Sequence, residues 1–196
     1  MNEISAAVEV VASALIAHAT TFEKLDAAAG DGDLGITAGK IAEGMRIANA
    51  AATGDLKADL MLIGREIAKA APSTFGTLFA TGFIRAAAVV TPDADALANT
   101  QGAIAAAFDG IASRGKAGIG ERTLLDALYP AVVALKNATD LPSGLSSAAR
   151  AARAGVVATA EMAPKHGRAG WIGERVKGLE DAGATVVAVI FEALAE

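Results

Sequence analysis

The chain contains no cysteine in 196 residues. That excludes disulfides, thiolate metal ligands and a cysteine nucleophile. Aromatics make up only 4%, with one Trp and one Tyr, so large rings cannot fill the interior. The 53% hydrophobic content is dominated by alanine, which builds cores by close approach of helices. No apolar run reaches the length of a membrane span. The N-terminus carries acidic Glu3 and Glu9 in place of a basic region before an apolar stretch, so no signal peptide is expected. Net charge is −5 and no segment concentrates the cations that neutralise a phosphate backbone, which argues against nucleic acid. The expectation is a soluble, cytoplasmic protein with no membrane or nucleic-acid partner. With neither repeat nor linker, residues 1–196 read as one domain.

What the chain does have is helical periodicity almost throughout. Ile4, Val8, Val11 and Leu15 fall on one helix face. Gly35 opens a second helix, with Ile41 and Met45. Leu60, Ile63 and Ile67 mark a third, ended by Pro72. A fourth runs from about Gly76 to Val90, a fifth from Leu97 to Ser113, and a sixth begins near Glu121. The seventh covers Leu145 to Met162 and the eighth Asp181 to Leu194. Val186, Val187, Val189 and Ile190 favour a strand by propensity, but no partner strand exists elsewhere to satisfy its hydrogen bonds, so helix is retained. Eight helices with short connections predict an all-α up–down antiparallel array. Residues 163 to 180 are the exception: polar, Gly-rich, basic, and long for a connection inside a compact domain.

The densest chemistry lies in Leu25-Asp-Ala-Ala-Ala-Gly-Asp-Gly-Asp-Leu-Gly35. Asp26, Asp31 and Asp33 fall within eight residues, and Gly30, Gly32 and Gly35 allow a tight turn that aims side chains at one point. Carboxylates about 4 Å apart repel by roughly 4 kcal/mol per pair at an effective dielectric of 20. A converged cluster therefore calls for a cation, and hard oxygen donors with few carboxylates suit Mg²⁺ shared with phosphates. The spacing is not that of a calcium helix–loop–helix site, because the twelfth position from Asp31 is Ala42 where a Glu would be needed. An ordinary solvated Asp/Gly turn is the competing reading.

Three further stretches suit anions. Pro72-Ser-Thr-Phe-Gly-Thr77 offers hydroxyls and free amides at a helix start; an ordinary cap by Ser73 or Thr74 is the competing reading. Ser113-Arg-Gly-Lys-Ala-Gly-Ile-Gly-Glu-Arg-Thr123 is Gly-rich and cationic. Lys165-His-Gly-Arg-Ala-Gly-Trp171 carries Arg168, whose fork can clamp a phosphate. In an up–down array the connections after odd-numbered helices share one end. The four stretches follow helices one, three, five and seven, so all four are expected at a single rim.

Taken in order, these residues resemble the nucleotide-binding L subunit, or equivalent C-terminal domain, of dihydroxyacetone kinases. The likeness runs through Asp26…Gly30-Asp-Gly-Asp33-x-Gly35, Phe79 to Arg85, Ser113-Arg-Gly-Lys-Ala117, Gly120-Glu-Arg-Thr-Leu124 with Asp126, Gly167-Arg-Ala169, Gly173-Glu-Arg175 and Asp181-Ala-Gly-Ala184. The resemblance implies a closed barrel of eight antiparallel helices with a nucleotide, ADP or ATP, at one end. It implies two Mg²⁺ ions on Asp26, Asp31 and Asp33. Nucleotide contacts would map to Leu34, Gly35, Ile36, Thr37, Ser73, Thr74, Gly115, Leu124, Arg168, Asp181 and Gly183, with no catalytic side chain. The implied partner is a K-type subunit that holds a small ketose as phosphoryl acceptor. The donor is either free ATP or bound ADP rephosphorylated by a phosphotransferase-system M-type subunit. Two positions depart from the pattern: Pro72-Ser-Thr-Phe75 replaces a Gly-Gly-Ala-Ser-type loop, and Leu34 stands where a His is common. They leave open an alternative, a non-catalytic helical binding or regulatory module of the same fold.

Overall fold

The computed structural model describes residues 3–166 and 176–196. Arg168 and the stretches Gly167-Arg-Ala169, Trp171 and Gly173-Glu-Arg175 lie outside the described residues. Every regular element among the described residues is an α-helix: α1 (Glu3–Ala17), α2 (Ala19–Ala29), α3 (Leu34–Ala50), α4 (Leu56–Ala70), α5 (Thr74–Ala87), α6 (Ala96–Gly115), α7 (Leu125–Lys136), α8 (Leu141–Thr159) and α9 (Ala182–Ala195).

Local chemistry sets many of the starts. Asp55, Ser73, Asp95, Asp140 and Asp181 each accept a hydrogen bond from the backbone N–H three residues on, a cap worth about 1 kcal/mol apiece. The first expected helix is in fact two. The chain bends by 54° between α1 and α2 at His18, whose Nδ1 sits 3.0 Å from the Ala14 carbonyl oxygen and whose ring stacks on Phe22. The sixth expected helix starts later than Glu121, at Leu125, because residues 116–124 fold into a loop around the Asp126 carboxylate. The β-branched final segment is helical. It is buried on nearly every side, from Ala184 through Val189 and at Phe191, and an all-round apolar helix is what a central position demands.

Neighbouring helices close into a ring: α1 packs on α3, then α4, α5, α6, α7, α8 and α9 follow in order, and α9 returns to α1. The bent α1–α2 pair counts as one stave, with α2 lying against α3 and α9. Small residues let the staves touch. A Cβ on Gly155 of α8 would stand 2.3 Å from the Asp126 carbonyl oxygen, and one on Gly44 of α3 would stand 2.9 Å from the Glu66 backbone of α4. An Ala-rich ring leaves its middle unfilled: an apolar cavity of about 310 Å³ is lined by residues including Val11, Met45, Phe79, Phe83, Ile111 and Phe191. No single helix among the described residues is long and apolar enough to cross a membrane.

Candidate functional site

Among the described residues, three of the chemistry-bearing connections meet at one rim, together with Lys165 and His166 of the fourth. Asp33, the start of α3 and the turn at Ala71–Ser73 share the walls of one small pocket. The Lys165 N–H donates to the Glu121 carbonyl oxygen at 3.3 Å. A Cβ on Gly183 would stand 3.3 Å from Phe75 Cε2 and 3.5 Å from Leu124 Cβ, so α5, the 116–124 loop and the start of α9 converge.

Asp26 sits in the last turn of α2, and Asp31 and Asp33 in the turn that follows. One ligand oxygen from each lies within 4.8 Å of the others. Gly32, with φ +73°, makes the reversal, a left-handed conformation that favours glycine. Asp26 Oδ2 accepts the Leu34 N–H at 3.1 Å, which ties the cluster to the start of α3. Burial raises the Asp26 carboxyl above its ordinary value, the Leu34 N–H opposes this, and the charges of Asp31 and Asp33 push it further up. Burial is the largest of these causes and the neighbouring charges are smaller ones. An all-oxygen donor set under that repulsion fits a hard divalent cation.

The adjoining residues divide between wall and scaffold. Leu34 and Thr37 are buried and Ile36 is exposed. Gly35 serves packing: a Cβ there would stand 2.4 Å from the Ala19 carbonyl oxygen of α2. Ser73 Oγ is the α5 cap, accepting the Gly76 N–H at 3.0 Å, while Thr74 is exposed on the first turn. Gly115 ends α6 beside Leu78, and Lys116 turns the chain with φ +49°.

Across the rim, Asp181 caps α9. Its Oδ1 accepts the Ala184 N–H at 2.7 Å and its own N–H donates to Thr159 Oγ1 at 2.8 Å. Desolvation pushes its carboxyl up to about 6 against the Ala184 N–H and the Arg122 charge.

Three residues that organise this rim fall within the quoted motifs, but sequence assigns none of them a role of its own. Asp126, buried, accepts the Gly120 N–H through Oδ1 and the Thr123 N–H through Oδ2, which shapes the loop. Arg122 was read there as part of a phosphate-seeking cationic stretch. It instead turns inward at φ +59° and donates to the carbonyls of Thr159, Val176 and Leu179, bracing both ends of the 160–180 segment. Its Nη1 is buried with no acceptor among the described residues. Glu121 pairs with His166 at 2.6 Å; its carboxyl is lowered to about 2 by the Gly118 N–H, then by His166.

A family model described as the DAK2 domain matches residues 28–196. The chain belongs to the DAK2 domain family. This DAK2 domain is 31% identical over 177 residues to the ADP-binding subunit DhaL of the PEP-dependent dihydroxyacetone kinase of Escherichia coli (strain K12), covering 87% of this chain and 84% of that one. It is 34% identical over 187 residues to the L-erythrulose 1-kinase of Mycolicibacterium smegmatis, covering 88% of this chain and 31% of that protein. The solved dihydroxyacetone kinase of C. freundii superposes with a TM-score of 0.81 at 28% identity, over 100% of this chain and 34% of that one. The same enzyme in complex with AMP-PNP and Mg²⁺ gives 0.80 at 27%. The domain thus spans most of a DhaL subunit and about a third of the longer kinases. The all-helical expectation and the family resemblance both stand.

Proposed function

We propose that residues 1–196 form one cytoplasmic nucleotide-binding unit that takes ADP or ATP with Mg²⁺. It would serve as the phosphoryl-donating half of a kinase whose acceptor is a three- or four-carbon ketose held by a separate K-type subunit. The observation that carries this reading is the convergence of the Asp26, Asp31 and Asp33 oxygens within 4.8 Å, at the rim where Thr37, Ser73, Leu124, Asp181 and Gly183 also gather. The similarity to an ADP-binding kinase subunit and to an erythrulose kinase supports the substrate class.

Asp26, Asp31 and Asp33 would hold the metal, two ions in our reading. When bound, Mg²⁺ neutralises phosphate charge and orients the terminal phosphoryl for in-line transfer. The chain's own part is positioning. The Leu34 N–H fixes Asp26. The first-turn amides of α5 at Thr74 and Phe75 face no intrahelical acceptor and favour an anion. Gly183 packs close to the Asp181 carboxylate, the Phe75 ring and Leu124, where a Cβ would crowd them, and Phe75 and Leu124 supply the apolar surface for a flat base. Gly115, Ile36 and Arg168 complete the proposed contact set. No side chain of this domain is assigned a proton-transfer role, so rate enhancement rests on electrostatics and orientation.

Calorimetric titration of ADP into the protein tests the reading. Binding is expected with Mg²⁺ and not with EDTA, and phosphoryl transfer only after a K-type partner is added. Absence of heat with Mg²⁺ present would overturn it. The donor question is answered by exchange: bound ADP that ATP does not displace identifies an M-type phosphotransferase subunit as the donor. The second reading, a non-catalytic module, is favoured by the Pro72–Phe75 turn. It predicts that Asp31→Asn leaves partner-dependent turnover unchanged.

A further inference from the structure

A pocket of about 150 Å³ opens between α3 and the turn before α5, with Asp33, Thr37 and Lys40 on one wall and Ala71, Pro72 and Ser73 on the other. Asp33, Thr37 and Lys40 share this wall because they are spaced four and three residues apart along one helix face. Of the facing turn's backbone, only the Thr74 and Phe75 N–H groups are left for an anion. Pro72 has no N–H. The Ser73 N–H donates to the Ala71 carbonyl oxygen at 2.8 Å, the Gly76 N–H to Ser73 Oγ at 3.0 Å, and the Thr77 N–H to the Ser73 carbonyl oxygen at 2.9 Å. The turn is also sterically fixed, since a Cβ on Gly76 would stand 2.1 Å from the Ala71 carbonyl oxygen.

The cation in this pocket is Lys40, exposed and without an ion pair among the described residues. We propose that Lys40 is a phosphate-binding residue that contacts the terminal phosphoryl group of a nucleoside triphosphate. It supplies by charge what Pro72 and the hydrogen-bonded Ser73, Gly76 and Thr77 amides cannot. The inference rests on the functional reading above and adds a residue and a direction to it. Phe75 marks the side of the α5 start where Leu124 and Gly183 meet. Ser73 and Lys40 line the pocket on the other side, together with Asp33. A polyphosphate running from the first side to the second reaches Lys40 only with its last group.

The test is calorimetry with Mg²⁺ on wild type, Lys40→Met and Lys40→Arg, each titrated with ADP and with AMP-PNP. Lys40→Met should weaken AMP-PNP roughly 10-fold or more, the value of one charge-assisted contact, and leave ADP within about twofold. Lys40→Arg should recover most of the AMP-PNP affinity. Equal weakening of both nucleotides, no weakening of either, or an Arg variant as poor as the Met variant overturns the inference alone. Wild type that binds neither nucleotide overturns the functional reading beneath it. Lys40 is exposed, so its variants should unfold at the wild-type temperature, which separates lost contact from lost fold.

Discussion

Replacing Asp126 by Asn should damage stability and nucleotide binding together, and a matched substitution at Asp59 should damage stability alone. Both carboxylates are buried and each organises a connection. Asp126 holds the Gly120 and Thr123 N–H groups. Asp59 holds the Thr53 N–H, the Thr53 hydroxyl and the Gly54 N–H. Hydrogen bonds to a charged acceptor contribute about 1.5–3 kcal/mol each. Asn keeps one neutral acceptor and turns an NH₂ toward a backbone donor, so the loss at either site should be about 2–4 kcal/mol. For a chain this size that is a fall in Tm of roughly 5–15 °C. The two sites differ in place: the 116–124 loop stands at the rim with Asp31 and Ser73, while the 51–55 connection follows α3 and lies at the opposite end. Urea unfolding of both variants, with MgADP calorimetry at a temperature where each is folded, separates the effects. The expected result is comparable destabilisation, with affinity reduced about tenfold only in Asp126→Asn. A loss under 1 kcal/mol at Asp126, or equal affinity loss in both variants, would refute the reasoning.

Three other outcomes follow from the geometry. Asp31→Asn should abolish the Mg²⁺ dependence of ADP binding while leaving Tm without metal unchanged or slightly raised, because it relieves repulsion on Asp26; a metal titration followed by Tm reads this directly. The Asp181 carboxyl titrates near 6 in the folded chain against an ordinary 3.8, so the folded state holds a proton that the unfolded state lacks between those values. Its contribution to stability therefore falls as pH rises from about 4 to 6 and stays reduced above. Asp181→Asn keeps a good cap, so its Tm should gain on wild type across that window; a gap constant with pH would contradict this. Gly155→Ala should destabilise by about 1–3 kcal/mol despite the better helix propensity of Ala, because the added methyl meets the Asp126 carbonyl oxygen; a more stable variant in thermal unfolding would show that α7 and α8 can part freely.

The acidic cluster was legible because glycine and aspartate alternate where the chain must reverse. The rim was legible because helix parity survives small errors in helix bounds. The bend at His18 was not, since no Pro or Gly marks it; it is made by a side chain reaching back to the Ala14 carbonyl oxygen. The late start of α7 escaped for a similar reason. Asp126 lies inside the helix it precedes in function, bonding backward to Gly120 and Thr123, and periodicity carries no trace of that. Arg122 misled because charge in a Gly-rich stretch reads the same whether the guanidinium faces solvent or three buried carbonyls. Lys40 went unremarked as one polar position among several on α3; only the opposing turn gives it a role.

Ring closure by α1 and α9 has a consequence for how such a domain can be joined to others. α1 leads toward the rim and α9 leads away from it, so both ends of the ring of staves open on the far side. A polypeptide attached at either end begins one stave length, about 21 Å along α9 at 1.5 Å per residue, from the phosphate-facing loops. Tethering an acceptor-binding module by either end therefore leaves the working face uncovered, and the module must arrive there from outside, as a free-standing partner would.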